Sequence, residues 1–180
     1  MFTGERVNLR PFRIEDLELA VKFQSDEDVA DNYFMAMNLG PTSDMMEKWF
    51  QEIVNAKDEF SFAIENKKGL YLGDCHTMGL NWKNRTTYIA IYIGHPDYRN
   101  KGYGTEALKL FLNFLFNELD LRKVKLNVFS FNKRAIRCYE KCGFKLDGLN
   151  RKELYRNGKY HDNYAMIITK EEFMEGQNYV

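Results

Sequence analysis

At 180 residues, with 44% apolar residues, the chain fits one domain that can bury a substantial core. Its 26 basic and 26 acidic side chains cancel, which argues against nucleic acid as a general partner, and 15% aromatic content argues against disorder. No apolar run approaches the ~20 residues of a membrane span, so no membrane association is expected.

The opening Met1–Glu5 lacks signal-peptide character. Cys75, Cys138 and Cys142 form no paired framework and share no metal-type spacing with histidines. A cytoplasmic protein with reduced thiols and no metal is therefore expected. Charge is uneven along the chain. Residues 1–90 carry 10 Lys and Arg against 15 Asp and Glu, and residues 91–180 carry 16 against 11. Solvated faces explain such a split; so does an anionic cofactor on the basic half with a cationic amine on the acidic half.

In chain order, Arg6–Arg10 alternates as a strand and stops at Pro11. Apolar residues at 14, 17, 20, 21 and 23 predict a helix over Ile14–Phe23, and the acid-rich Asp26–Asp31 reads as a turn or helix end. Asn32–Pro41 has no clean period and reads as a loop with a short helical turn. Thr42-Ser43-Asp44 opens a helix, with Asp44 and Glu47 at capping-box spacing and Met45, Met46, Trp49, Phe50 and Ile53 on a buried face. Strands follow at Phe60–Ile64 and Leu70–Leu80, where Gly73 and Gly79 suggest bulges or close approaches. Thr86–Gly94 is the central strand. Thr105–Glu118 is a helix with Ala107, Leu108, Phe111, Leu112 and Leu115 inward, and Val124–Val128 is a half-buried strand. A helix from Lys133 to Cys142 ends at Gly143 in the C′ position. The tail gives two strands about an Asn157-Gly158 hairpin turn and a short helix, Lys170–Glu175.

Between the central strand and its following helix lies a basic, glycine-bearing loop: Arg99-Asn100-Lys101-Gly102-Tyr103-Gly104, then Thr105. Strand, glycine loop and helix start together build an anion site, because glycines admit close approach and the helix dipole presents its positive end. Arg99 and Lys101 add charge where a phosphate would rest, and a pyrophosphate is the inferred ligand. The loop is not a P-loop, since GxxxxGK[ST] is absent. Gly102-x-Gly104-x-x-Ala107 fits a dinucleotide fingerprint superficially, but the polar His95–Lys101 separates it from its strand. The acid expected after the next strand is also missing from Val128-Phe129-Ser130-Phe131.

A second cluster follows, Asn132-Lys133-Arg134-Ala135-Ile136-Arg137-Cys138-Tyr139-Glu140-Lys141-Cys142-Gly143-Phe144. The pattern R-x-x-G-x-G and then N-x-x-A-x-x-x-Y-E-K-x-G-F resembles the GNAT N-acyltransferase superfamily. Val7–Pro11, Trp82–Arg85 and Tyr155–Asp162 resemble its branch of ribosomal-protein N-terminal and spermidine acetyltransferases. The resemblance implies an α+β, single-domain GNAT fold over residues 1–180: a central mixed, mostly antiparallel sheet, flanking helices and a splayed cofactor cleft. It implies acetyl-CoA as co-substrate. Amides from Lys101 to Thr105 would hold its pyrophosphate, and the backbone of Tyr92-Ile93-Gly94 would pair with its pantetheine arm. Asn132 would reach the arm from the other wall, with Ala135 on the same helix face, while Lys133 and Arg137 could reach the adenosine phosphate.

Tyr139 is the residue expected to do chemistry. A phenol of pKa near ~10 stays protonated at neutral pH and can protonate a leaving thiolate of pKa near ~8.5. No base is evident: related sequences often carry Glu where Tyr88 stands, and Asp74, His76, Asp162 or water could take that role. Cys75 reads as buried and inert, so direct transfer without a covalent enzyme intermediate is expected. Asp31–Asn38 and Tyr155–Asp162 would wall the acceptor site. The aromatic and apolar Asn32–Asn38 weakens a polyamine acceptor and favours a peptide N-terminus or another small amine. A non-catalytic acyl-CoA sensor on the same fold is the alternative, with a dinucleotide reductase third. Exposed strand edges admit a homodimer.

Overall fold

The structure, a computed structural model, describes residues 1–33 and 40–177. Its contacts group into two compact units: residues 1–78 with 90–111, and residues 79–89 with 112–180.

In the first unit β1 (Phe2–Thr3), β2 (Val7–Arg10), β3 (Ser61–Asn66) and β4 (Tyr71–Asn81, through Met78) form an antiparallel run in that order. β5 (Thr86–Ile93) contributes its last four residues here. Three helices, α1 (Asp16–Gln24), α2 (Glu27–Tyr33) and α3 (Ser43–Asn55), supply Leu17, Ala20, Phe23, Val29 and Met46 to a core shared with Ala63, Tyr71 and Tyr92. The spacing of Leu17, Ala20 and Phe23 puts them on one face of α1, and burying a Leu or Phe side chain contributes about 1.5–3 kcal/mol. Arg10 ties α1 to the strands, donating to Asp16 Oδ2 at 2.6 Å and also to Glu65, with all three buried.

Three predictions for this unit need correcting. The acidic stretch Asp26–Asp31 is the opening of a helix: Asp26 Oδ1 accepts from the Val29 amide at 3.3 Å, and Glu27 and Asp28 sit in the favourable first turn. α3 is capped by Thr42, whose Oγ1 accepts from the Met45 amide, so Asp44 is not the cap. Met45, placed on the buried face, is 59% exposed, while Met46 is buried. The two-residue β1 is too short for its alternation to register in sequence.

In the second unit the opening of β5 pairs in parallel with β6 (Lys123–Phe129), from Thr86↔Lys123 to Tyr88↔Lys125. β6 pairs antiparallel with β8 (Lys159–Thr169), and β8 with β7 (Lys145–Arg156). The hairpin turns at Asn157 and Gly158, both at positive φ (51° and 78°), as the Asn-Gly pair predicts. α5 (Lys133–Lys141) ends against Gly143 at φ 95°, the expected left-handed cap, and α6 (Lys170–Gln177) closes the chain. The helix expected over Thr105–Glu118 is α4 (Tyr103–Asn113), whose residues through Phe111 belong to the first unit, followed by a π-turn at Phe114–Glu118 in the second. The widened turn keeps Leu115 and Phe116 buried while Leu119 bonds back to Phe114 O.

Candidate active site

The glycine loop belongs to the first unit. Asn100 and Gly102 sit at φ 60° and 90° on either side of Lys101, an alternation that turns successive amides toward one concavity. The amides of this turn lead into the first turn of α4, where helix amides have no partner within the helix. Gly102 O accepts from the Glu106 amide and so starts α4. Two residues that the sequence motifs did not single out brace the loop. Arg6 donates to Lys101 O at 2.9 Å, and Glu106 accepts from the Arg6 and Val7 amides at 2.8 and 3.4 Å. Long-range partners about 95 to 100 residues apart leave no local sequence signal. Lys101 and Gly102 are exposed, and Tyr103 packs edge-on against Tyr98. A Cβ at Gly104 would lie 3.4 Å from the Ile93 side chain.

Arg99 does not stand where the sequence placed it. Its Nε donates to Ile93 O at 3.1 Å and its Nη2 to Gly94 O, while Asp28 and Asp26 take Nη1 and Nη2 at 2.9 Å each. Its positive charge is therefore neutralised inside the fold and does not face a phosphate. The end of β5 is also partly committed: Gly94 donates its amide to Leu72 O at 2.8 Å, which removes that donor from the pairing expected for a pantetheine arm. The carbonyls of Ile93 and Gly94 keep a second lone pair each.

Alongside, on the α1–α3 face of the same unit, lies a buried polar chain. Tyr92 Oη is 3.1 Å from Tyr71 Oη, which donates to Asp74 Oδ2 at 3.0 Å, and Gln24 Nε2 is 3.5 Å from Tyr92 Oη. His76 Nδ1 lies 3.5 Å from Asp74 Oδ1. Burial first, and the charge of Asp74 second, push both phenols well above the ordinary tyrosine value. Cys75 is fully buried and its thiol is pushed up by the same burial, which fits the inert reading.

In the second unit α5 carries the other motif. Asn132 caps the helix, its Oδ1 accepting from the Ala135 amide at 3.0 Å, so this oxygen and that amide hold the helix start. The N-x-x-A spacing carries that cap signal. Lys133 and Arg137 are exposed. Tyr139 is 8% exposed, its ring tilted against Phe144, and burial pushes its phenol well above the ordinary value. Tyr88, where related sequences often carry Glu, is 38% exposed under the Lys125 ammonium. Asp162, one candidate base, accepts the Lys152 amide on Oδ1 and the Ser130 amide on its carbonyl, which makes it a hairpin brace. Tyr155 and Tyr160 stack loosely on the exposed hairpin. Of the other expected acceptor wall, Asp31–Tyr33 ends α2 and Phe34–Asn38 lies outside the described residues. Among the described residues no cluster of three His, Cys, Asp or Glu is placed to hold a metal, and no helix is long and apolar enough to cross a membrane.

Comparison with known proteins places these features in context. Residues 6–145 match the family described as the acetyltransferase (GNAT) domain. The SPbeta prophage-derived uncharacterized N-acetyltransferase YokL of Bacillus subtilis is 33% identical, over 96% of this chain and 94% of YokL. The spermidine N(1)-acetyltransferase of Escherichia coli K12 is 28% identical over 97% and 91%. The fold matches the crystal structure of spermidine N-acetyltransferase from Vibrio cholerae in complex with CoA and spermine, with a TM-score of 0.86 at 23% identity, covering 95% of this chain and 99% of that one. By its match over most of its length and its likeness to YokL, the chain belongs to the GNAT acetyltransferase domain family and is an N-acetyltransferase.

Proposed function

We propose that the chain transfers an acetyl group from acetyl-CoA to a primary amine by direct attack of the amine on the thioester. The observation that carries the cofactor half is the turn of Asn100 and Gly102, at φ 60° and 90°, which opens onto the first-turn amides of α4. These amides would hold the pyrophosphate, each charge-assisted bond contributing about 1.5–3 kcal/mol, and the exposed Lys101 ammonium would add to them. Ile93 and Gly94 carbonyls would accept from the amides of the pantetheine arm. Lys133 and Arg137 would meet the phosphate on the adenosine. Arg99 and Asn132 would act from behind, as supports of the strand end and the helix start.

Tyr139 would give its proton to the departing thiolate. Its raised pKa keeps that proton in place across the neutral range. The same apolar surroundings that raise a phenol also raise a thiolate, so the two move together and the transfer stays feasible. A thioester is a good acyl donor, and positioning then matters more than acid strength.

Polyamines are the first acceptor class to test. Relatives at 26% and 28% identity are named spermidine N(1)-acetyltransferases, which supports a linear polyamine over the peptide N-terminus that the aromatic Asn32–Asn38 favoured. A thermal-shift titration tests the cofactor half: saturating acetyl-CoA is expected to raise Tm, because a ligand of the native state alone stabilises it. An unmoved Tm at millimolar acetyl-CoA would contradict the proposal.

A further inference from the structure

We infer that Asp74, reached through the hydroxyls of Tyr71 and Tyr92, receives the proton that the acceptor nitrogen loses during transfer. This inference rests on the acetyl-transfer reading above and supplies the base that the motifs do not show.

The geometry begins with Gly73. β4 pairs with β3 as Gly73↔Ile64 and then Tyr71↔Glu65, so Leu72 is skipped and the strand bulges. Regular alternation puts residues 71 and 74 on opposite faces, and the bulge brings Tyr71 and Asp74 onto one. Gly73 accepts the required φ of 155°, and a Cβ there would lie 2.2 Å from Tyr92 O, so β5 approaches at this point closely enough for the two phenols to meet. The result is a continuous line of heavy atoms: Tyr92 Oη, 3.1 Å, Tyr71 Oη, 3.0 Å, Asp74 Oδ2. Asp74 is 1% exposed, Tyr71 2% and Tyr92 7%. Beyond Asp74, His76 Nδ1 is 3.5 Å from Asp74 Oδ1 and is itself buried without a hydrogen bond, while the rest of the side chain is 20% exposed. At the other end Tyr92 touches Gln24 of α1 and the ring of Tyr33, which belongs to the described part of the expected acceptor wall. Tyr92 also lies two residues before Gly94, at the strand end proposed for the pantetheine arm.

Among the described residues no Lys or Arg forms an ion pair with Asp74, and burying a carboxylic acid at such a place is costly, so its presence there needs a reason. Core filling would be served by an apolar residue. A proton relay needs what is present: neutral hydroxyls that each hold one proton and pass one on, ending at a carboxylate. As the nitrogen gains its bond to the acyl carbon, its N–H proton moves to Tyr92 Oη. Tyr92 gives its own proton to Tyr71, and Tyr71 gives its own to Asp74. The C–S bond breaks, the thiolate takes a proton from Tyr139, which water then restores, and Asp74 releases the relayed proton to solvent before the next turnover. The two tyrosines end as they began. The raised pKa of both phenols keeps them protonated at rest, as a relay requires.

Steady-state kinetics of the full chain, with acetyl-CoA and the best amine among spermidine, spermine and an N-terminal peptide, test this. Tyr92→Phe removes one oxygen and is expected to fold; it should lower kcat by ~10²-fold with KM for acetyl-CoA unchanged. Asp74→Asn should do the same, Asp74→Glu should recover part of the loss, and the Tyr92→Phe/Asp74→Asn double variant should be no slower than the slower single one. A folded Tyr92→Phe that keeps the parent kcat overturns the relay, as does a double variant whose losses multiply. If the parent turns over none of the amines, the acetyl-transfer reading fails and the relay with it; turnover by the parent with an undiminished Tyr92→Phe removes the relay alone.

Discussion

Arg99 Nη1 lies 2.9 Å from Asp28 Oδ2, a bond between residues 71 positions apart that ties the end of β5 to α2. With Asp26 and two backbone carbonyls, it takes four of the five N–H groups of a guanidinium that the sequence assigns to a phosphate. A brace and a ligand respond differently to deletion. Arg99→Ala should lose about 2–3 kcal/mol, the low end for several charge-assisted bonds because both carboxylates are partly exposed. Melting measurements should show Tm down by roughly 4–10 °C. An unchanged Tm with lost acetyl-CoA binding would put Arg99 back on the phosphate.

Gly73 is the position where the fold tolerates least. An added Cβ would meet a backbone carbonyl, Tyr92 O, at 2.2 Å, and backbone cannot swing aside as a side chain can. Gly73→Ala is expected to cost about 3 kcal/mol or more in urea unfolding. Gly158→Ala meets nothing within 4 Å and carries only its strained φ of 78°, so it should cost about 1 kcal/mol. Equal losses at the two sites would show that the approach of β5 at Gly73 is not tight.

Tyr139→Phe separates chemistry from packing. The ring contact with Phe144 survives the change, so stability should hold within about 1 kcal/mol. Loss of the proton donor should lower turnover by ~10²–10⁴-fold. Unchanged turnover removes the acid role.

The pH dependence of stability follows from four groups. Burial holds Tyr71, Tyr92, Tyr139 and Cys75 protonated in the folded chain beyond the pH at which the unfolded chain releases those protons. The folded state then binds more protons than the unfolded one, so stability falls as pH rises. The loss begins near the unfolded thiol and phenol values of about 8.5 and 10, with a slope approaching ~1.4 kcal/mol per pH unit for each group. Melting curves from pH 7 to 11 should show Tm falling above pH ~9. A level Tm to pH 11 would mean that these groups ionise in place.

Much of this architecture is local enough to read from residues alone. The Asn157-Gly158 turn, the Gly143 cap and the inward face of α4 follow from backbone freedom and periodicity over a few positions. The two motifs mark the glycine loop and α5 for the same reason. What sequence hides is partnership at a distance. The commitment of Arg99 to Asp26 and Asp28, and the brace of Arg6 and Glu106 behind the loop, join segments about 70 to 100 residues apart. The Tyr71–Asp74 contact hides for another reason: Gly73 signals a bulge, but only the register with β3 shows that the two side chains change from opposite faces to one.

The most direct measurement is mass spectrometry of amine products formed from acetyl-CoA labelled in its acetyl group. The account predicts one labelled acetyl on an amine nitrogen for each CoA released, with spermidine or spermine among the accepted amines. Release of CoA without an acetylated amine, or no release across polyamines, N-terminal peptides and aminoglycosides, would contradict it.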